Sequence, residues 1–151
     1  MPQWSPMIAL LQRVTHAEVR VGERILGRID QGIVALVGVK HTDDPDSAER
    51  LLTRILAFRI FPDEAGRMNL ALPSVGGGLL LVPQFTLAAE TAHGNRPGFS
   101  SAAPAGLAKK LFDHLVERAS ERHPAVATGE FGAYMHLSLT NDGPVTFWLE
   151  T

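Results

Sequence analysis

The chain has 151 residues, and its 14 Lys and Arg residues against 16 Asp and Glu residues give a formal net charge of −2. This balance excludes a strongly basic nucleic-acid binder of the histone type. The absence of cysteine excludes disulfides, cysteine–zinc sites and cysteine nucleophiles, and the length predicts one globular domain.

The first forty residues predict a run of strands. Residues 7–14 are mainly apolar, and residues 18–21 alternate polar and apolar side chains, so we expect two strands here. A turn at Gly22 leads into a third strand over residues 24–29. Residues 32–39 are a β-branched run between turn signals, which is typical of a strand buried on both faces.

A helical period replaces the strand pattern at Asp44, an N-cap residue followed by Pro45 at the first helical position. One face of this helix is apolar, formed by Ala48, Leu51, Leu52, Ile55 and Leu56. Pro62 ends the element. The glycines at 76–78 predict a hairpin turn into a second buried strand over residues 79–82.

The second half of the chain begins with residues 88–103, which have no steady period and predict a long ordered loop. A helix follows Pro104, with an apolar face formed by Leu107, Leu111, Leu115 and Ala119. Residues 133–139 alternate again, residues 141–144 predict a turn, and residues 145–149 predict the closing strand. The whole order predicts an α+β domain, a mixed curved sheet with two main helices on one face.

The N-terminal residues 1–6 have neither a basic start nor a long apolar run, so we expect an extension before a domain over residues 7–151. No stretch approaches the ~18 apolar residues of a membrane span, and we therefore expect a cytoplasmic protein. None of the six histidines pairs with another at a ligand spacing. We expect surface or loop histidines and no metal site.

The first candidate site is the segment that leaves the second buried strand. Gln84 and Thr86 offer donors and acceptors where a strand end exposes its backbone N–H groups. An ordinary strand exit with Phe85 in the core is the alternative, and the residue chemistry leaves both open.

Two later segments are also candidates. Arg96 lies in a loop shaped by glycine and proline, where it can meet a phosphate or carboxylate or remain solvated. Residues 141–146 contain an Asp-Gly pair, a strong hairpin signal, followed at once by proline. Because only ~5–6% of X–Pro bonds are cis in folded proteins, frequency alone favours a trans bond between Gly143 and Pro144.

These segments together resemble the D-aminoacyl-tRNA deacylase family, formerly called D-tyrosyl-tRNA deacylase. The resemblance runs in register from Met7 to the C-terminus and rests on residues 7–14, 58–61, 68–70, 84–87, 96–97 and 141–146. It implies a cytoplasmic homodimer with packed sheets that hydrolyses the ester joining a D-amino acid to tRNA. We expect no cofactor, no membrane partner and no DNA partner.

The family has two signature motifs, Ser-Gln-Phe-Thr and Asn-x-Gly-Pro-Val-Thr. The second carries a cis Gly–Pro bond and reaches into the active site of the other subunit. By this resemblance, Gln84, Phe85 and Thr86 line the catalytic pocket. Gly143 and Pro144 are expected to screen the handedness of the substrate from across the subunit boundary.

Three further residues are matched by the same resemblance. Arg13 is expected to hold the Gly–Pro segment, and Phe131 and Met135 are expected to shape the pocket for the terminal adenosine. One residue departs from the family pattern, because Pro83 stands where the family has serine. Proline lacks both a hydroxyl and an N–H, which puts any mechanism through that serine in doubt here.

An aminoacyl ester is already activated, so its hydrolysis needs water, alignment and stabilisation of negative charge. Backbone N–H groups around Phe85 and Thr86 are candidate oxyanion donors, and the family is thought to use the tRNA ribose hydroxyl as well. Whether the Thr86 side chain takes part stays open. A rigid Gly–Pro pair excludes an L side chain and also predicts some acceptance of glycyl-tRNA.

Two other functions remain open on the sequence. One is an editing hydrolase that removes a wrong L-amino acid, and the other is a binding module that lost activity with the change at Pro83. The cations on the second helix can form a tRNA-binding patch or an ordinary solvated face, and the sequence leaves both open. These cations are Lys109, Lys110, Arg118 and Arg122.

Overall fold

The structure is a computed structural model that describes residues 7–151, so the expected extension over residues 1–6 lies outside the described residues. Its strands are β1 (Ile8–Val21), β2 (Arg24–Ile29), β3 (Gly32–Gly38), β4 (Phe61–Pro62), β5 (Met68–Leu70), β6 (Gly78–Pro83), β7 (Val126–Thr128) and β8 (His136–Glu150). Its helices are α1 (Pro45–Ala57), α2 (Leu72–Val75) and α3 (Ala105–Arg122), with a 3₁₀ turn at Phe85–Ala88.

Six strands form one mixed sheet in the order β2-β1-β3-β6-β7, with β8 paired to β1. The pairs β3–β6 and β6–β7 are parallel, and the pairs that β1 makes are antiparallel. Strands β4 and β5 form a separate two-stranded ribbon. The predicted α+β domain with a mixed sheet and two main helices is confirmed.

The separate strands predicted at residues 7–14 and 18–21 are wrong, because β1 is one strand of 14 residues. Strand β8 pairs along most of its length, while β3 pairs with its first half and β2 with its second half. The exposed polar residues Thr15 and His16 interrupt the apolar pattern without ending the strand. Strand β8 pairs across this interruption, with Thr140 opposite His16, and holds the chain extended there.

The predicted hairpin at residues 76–78 is also wrong. Gly76 ends the short helix α2 in a left-handed conformation, with φ at +63°. The strand that follows, β6, runs parallel to β3 rather than folding back on a neighbour. A glycine run is compatible with either geometry, and the non-local pairing with β3 decides between them.

Alternate residues of the central strands enter two separate apolar clusters. The first cluster lies under α1 and α3, and from the sheet it takes Ile33, Ala35, Val37, Leu79 and Leu81. The second lies on the opposite face and takes Val34, Leu80 and Val82 from the same strands. The prediction that β3 and β6 are buried on both faces is confirmed.

The sheet curls, so that β2 at one edge approaches β7 at the other. A Cβ added at Gly27 would lie 3.1 Å from both the Cβ of Ala127 and the carbonyl oxygen of Thr128. This curl encloses the second apolar cluster without a helix over it. None of the helices within residues 7–151 has the length and apolar composition that a membrane crossing requires.

Candidate active site

The candidate site is built where the parallel strands β3 and β6 end. The Gln84 backbone N–H donates to the Val37 carbonyl at 2.8 Å, and the Leu87 N–H donates to the Gln84 carbonyl at 3.2 Å. These bonds fix the 3₁₀ turn to the end of β3. The first N–H groups of such a turn, those of Phe85 and Thr86, have no acceptor within it. They are therefore free to face a ligand.

Phe85 is exposed, so the alternative that placed its side chain in the core is wrong on that point. Its side chain is 59% exposed and its ring lies 5.3 Å, between centroids, from the ring of Phe99. Phe99 belongs to the long loop at residues 88–103, which two backbone bonds between Glu90 and Gly98 close on itself. The loop is ordered, as predicted, and it brings an aromatic side chain to the turn.

A cavity of about 520 Å³ opens beside this turn, a size typical of small-molecule sites. It brings together Gln84, Phe85, Phe131 and Met135, four residues that the resemblance assigns to one pocket. The remaining lining residues are Leu36, Val82, Pro83, Ala103, Ala105, Ala108, Gly132, Ala133, Tyr134 and Leu137.

The lining suits a flat, largely apolar ligand group. Two aromatic rings and a thioether line one side of the cavity, from Phe131, Tyr134 and Met135. The Tyr134 side chain is 84% exposed. Aromatic side chains of this kind stack on nucleobases. Polar side-chain groups come from Tyr134 and from Gln84, whose amide donates to the Thr86 hydroxyl.

Thr86, the third residue that the resemblance assigns to the catalytic pocket, does not line this cavity, although its hydroxyl is bonded to Gln84, which does. It lines a neighbouring cleft of about 410 Å³ together with Lys40, Trp148 and Glu150. Trp148 is 49% exposed and was not predicted as a site residue. The signal was present in the sequence, because tryptophan stands between Thr146 and Glu150 on the polar face of an alternating strand.

The predicted hairpin turn at residues 141–144 is wrong, because both halves of β8 pair antiparallel with the same strand, β1. The register pairs on either side of the interruption are Val14 with Asn141 and Gln12 with Thr146. Residues 142–145 therefore bulge out opposite a single residue, Arg13. The Gly143–Pro144 bond within the bulge is cis, as the family resemblance implies and contrary to frequency.

Arg13 fills the gap in the ladder. Its Nε donates to the Asp142 carbonyl at 3.1 Å, and its Nη1 donates to the Ile60 carbonyl at 2.6 Å. The Asp142 carboxylate lies 3.6 Å from the same Nε. With 9% of its surface exposed, this arginine links the bulge to the chain between α1 and β4.

Within one subunit, the bulge and the turn at Gln84 lie far apart. Arg13 pairs with Ile33 near the start of β3, whereas Gln84 is bonded to Val37 near its end. Four residues of strand separate these points by about 13 Å. Neither Gly143 nor Pro144 lines the cavity of about 520 Å³.

The predicted tRNA-binding patch on α3 is largely occupied by ion pairs. Arg118 and Arg122 both bond to Glu49 of α1, each at 3.0 Å, and Lys109 bonds to Asp113 at 2.6 Å. The hydrogen bond from Arg118 is the main cause that lowers the pKa of Glu49. This geometry favours the solvated-face interpretation of these cations.

One histidine differs from expectation. His123 is 3% exposed, and its Nε2 donates to the Gly77 carbonyl at 2.7 Å. It stabilises the connection between α2 and β6 and does not lie on the surface. In the part of the chain that the structure describes, no three His, Asp or Glu side chains are grouped as metal ligands.

A family model described as D-Tyr-tRNA(Tyr) deacylase matches residues 10–150. The chain belongs to this deacylase family. A protein named D-aminoacyl-tRNA deacylase from Thioalkalivibrio sulfidiphilus (strain HL-EbGR7) is 62% identical over 144 residues, covering 95% of this chain and 97% of the relative. A protein of the same name from Burkholderia mallei (strain SAVP1) is 56% identical over 150 residues, covering 96% of this chain and 99% of the relative.

Two solved structures have a similar fold. A structure named c-Myc DNA Unwinding Element Binding Protein superposes with a TM-score of 0.91 and 35% identity, covering 95% of this chain and 98% of the other. A structure described as a probable eukaryotic D-amino acid tRNA deacylase has a TM-score of 0.84, covering 97% of this chain and 100% of the other. Its identity to this deacylase-family chain is 14%, so this second likeness concerns the fold alone.

Proposed function

We propose that this protein hydrolyses the ester bond of D-aminoacyl-tRNA and releases the free D-amino acid and the tRNA in the cytoplasm. Relatives at 56–62% identity over nearly the whole chain bear the name of this activity, and this observation carries the proposal. The cavity beside the 3₁₀ turn suits the substrate, because an aminoacylated tRNA end combines a nucleobase with a small polar ester.

The terminal adenosine lies against Phe131 and Met135, and the ester lies over the 3₁₀ turn. The unpartnered N–H groups of Phe85 and Thr86 stabilise the negative charge that develops on the ester oxygen. Gln84 and Thr86, bonded to each other, hold the attacking water or the ribose hydroxyl in place. Pro83 takes no part through a side-chain hydroxyl, so the reaction uses backbone groups at this position.

The Gly143–Pro144 segment of a second subunit rejects L-aminoacyl-tRNA. Within one chain this segment stands about 13 Å along β3 from the turn, so it is better placed to serve another subunit's cavity. Among the described residues β8 pairs only with β1, and its Trp148 is 49% exposed, which supports packing of this edge of the sheet in a homodimer. Glycyl-tRNA is accepted in part, because glycine has no side chain to clash with the segment.

A paired assay with D-Tyr-tRNA and L-Tyr-tRNA tests the activity. We expect release from the D substrate and little release from the L substrate. Preferential release from the L substrate would indicate an editing hydrolase, and no release from either would indicate a binding module. Glycyl-tRNA in the same assay is expected to give an intermediate rate, and equal rates for D-Ala-tRNA and L-Ala-tRNA would contradict steric exclusion.

Mixed dimers test whether the segment acts across the subunit boundary. Phe131→Ala weakens the pocket, and Gly143→Val distorts the segment, because a Cβ at Gly143 lies 2.6 Å from Val145 Cγ2. In a dimer of one subunit of each kind, one composite site is intact if the segment acts in trans. We therefore expect D-selective activity to return on co-expression. If activity stays at the level of the separate variants, the segment does not act in trans.

A further inference from the structure

The carboxamide of Asn141 closes a ring across the bulge in β8. Its Oδ1 accepts the N–H of Val145 at 2.7 Å, and its Nδ2 donates to the hydroxyl of Thr146 at 2.8 Å. Asn141 is the last residue paired before the bulge, and Thr146 is the first residue paired after it. One side chain thus joins the two ends of the interruption.

The bulge needs side-chain bonds because the backbone ladder is interrupted there. Residues 142–145 have no register partner on β1, and Pro144 has no N–H to donate. Val145 is 7% exposed and belongs to the main apolar cluster, so its bond to Asn141 ties the exposed Gly143 and Pro144 to the core. Arg13 secures the other end through the Asp142 carbonyl.

We propose that Asn141 is a positioning residue that fixes the shape of the Gly143–Pro144 segment and so sets the preference for D- over L-aminoacyl-tRNA. This inference rests on the proposed function of the segment and extends it to a residue that touches no substrate. The segment excludes an L side chain only if displacing the segment costs more free energy than the L substrate gains by binding. Loss of the Asn141 bonds lowers that cost, so hydrolysis of the L substrate rises while hydrolysis of the D substrate changes little.

Asn141→Leu tests the inference because leucine is close to asparagine in size and makes no hydrogen bonds. The quantity measured is kcat/KM for L-Tyr-tRNA divided by kcat/KM for D-Tyr-tRNA. We expect this ratio to rise about tenfold, which corresponds to about 1.4 kcal/mol for the two lost hydrogen bonds together. A variant that is merely less well folded loses activity on both substrates equally and leaves the ratio unchanged.

Asn141→Asp is the conservative variant. A carboxylate oxygen still accepts the Val145 N–H, and the Thr146 hydroxyl can turn to donate to the second oxygen. We expect the wild-type ratio to be retained. Thr146→Val removes only one of the two bonds at an exposed position and keeps the test available if the leucine variant does not fold. It is expected to raise the ratio by about threefold.

Thr140→Ala is the matched control, since Thr140 precedes Asn141 on the same strand and its hydroxyl contacts His16 rather than the bulge. Its ratio is expected to equal that of the wild type. The inference is overturned if folded Asn141→Leu keeps the wild-type ratio, or if Asn141→Asp behaves as the leucine variant does. The wild-type protein is assayed first. If it shows no preference for the D substrate, the proposed function itself is overturned, independently of the variants.

Discussion

Two adjacent carboxylates, Asp43 and Asp44, have opposite environments. Asp43 is 5% exposed, with Oδ2 accepting the Lys40 N–H at 2.7 Å and Oδ1 buried without a hydrogen-bond partner among the described residues. Burial is the main cause that raises its pKa to about 6. Asp44 caps α1 at the surface, where hydrogen bonds from the Ser47 backbone and side chain lower its pKa.

Asp43→Asn changes the pH dependence of stability in a defined direction. In the wild type the folded state binds the Asp43 proton more tightly than the unfolded state, whose pKa is near 3.8. Stability from this group is present at low pH and is lost as the pH rises through about 6. Asparagine keeps the acceptor for Lys40 and carries no charge, so we expect a higher melting temperature at neutral pH.

Thermal melts of both proteins across the acidic and neutral range provide the measurement. The wild type is expected to lose stability relative to Asp43→Asn between pH 3.8 and about 6. Asp46→Asn, an exposed carboxylate on the first turn of α1, is the control and should follow the wild-type curve. Parallel curves for the wild type and Asp43→Asn would show that Asp43 titrates normally.

The pairing of β3 with β6 depends on glycine at position 32, which faces Gly78. A Cβ added at Gly32 would lie 2.0 Å from the carbonyl oxygen of Gly78, a backbone atom that cannot move without breaking the parallel ladder. This close approach lets β6 begin at its register position beside β3. The candidate site depends on it, because the 3₁₀ turn follows directly from the far end of β6.

Gly32→Ala is expected to destabilise the fold by about 3 kcal/mol or more, because the methyl group overlaps main-chain atoms. Gly106→Ala, with nothing within 4 Å of its added Cβ, is the matched control in α3. It should be neutral or stabilising by up to about 1 kcal/mol. Denaturant unfolding measures both, and equal stability of the two variants would contradict the described β3–β6 register.

At the scale of the whole molecule, the charge distribution bears on how tRNA is held. Three of the four cations named on α3, Lys109, Arg118 and Arg122, are bonded to carboxylates of α1 or of α3 itself, and the chain as a whole carries a charge of −2. Under the proposed function, recognition therefore depends mainly on the tRNA 3′ end rather than on this helix. Few phosphate contacts release few counterions on binding.

The double variant Lys109→Ala/Lys110→Ala is expected to change kcat/KM for D-Tyr-tRNA by less than about twofold, because Lys109 is already bonded to Asp113 and an exposed cation far from the reacting ester contributes little. The salt dependence of kcat/KM is expected to be shallow in both proteins. Assays at low and moderate salt measure this. A large loss of activity together with a flatter salt slope in the variant would restore the helix patch as a tRNA-binding surface.

The sequence by itself determined the elements whose signal is local. The apolar, mainly β-branched run of β3 and the apolar stretch of β6 predicted burial on both faces. The helical spacing of the apolar residues around Leu51 predicted α1, and that around Leu111 predicted α3. Side-chain periodicity is a property of consecutive residues, so it needs no knowledge of the partner. The motif order also determined the family, which the comparisons confirm.

Only the tertiary structure decided the features that depend on remote pairing. The polar residue Thr15 predicts a strand end, but β8 pairs with β1 on both sides of it. The Asp-Gly pair in β8 predicts a hairpin, but both halves of β8 pair with β1. The separation of about 13 Å along β3 between the level of the bulge and that of the turn follows from the β1–β3 register. The exposure of Phe85 likewise appears only in the folded chain. Strand register is set by hydrogen bonds between segments far apart in the chain, and no local pattern encodes it.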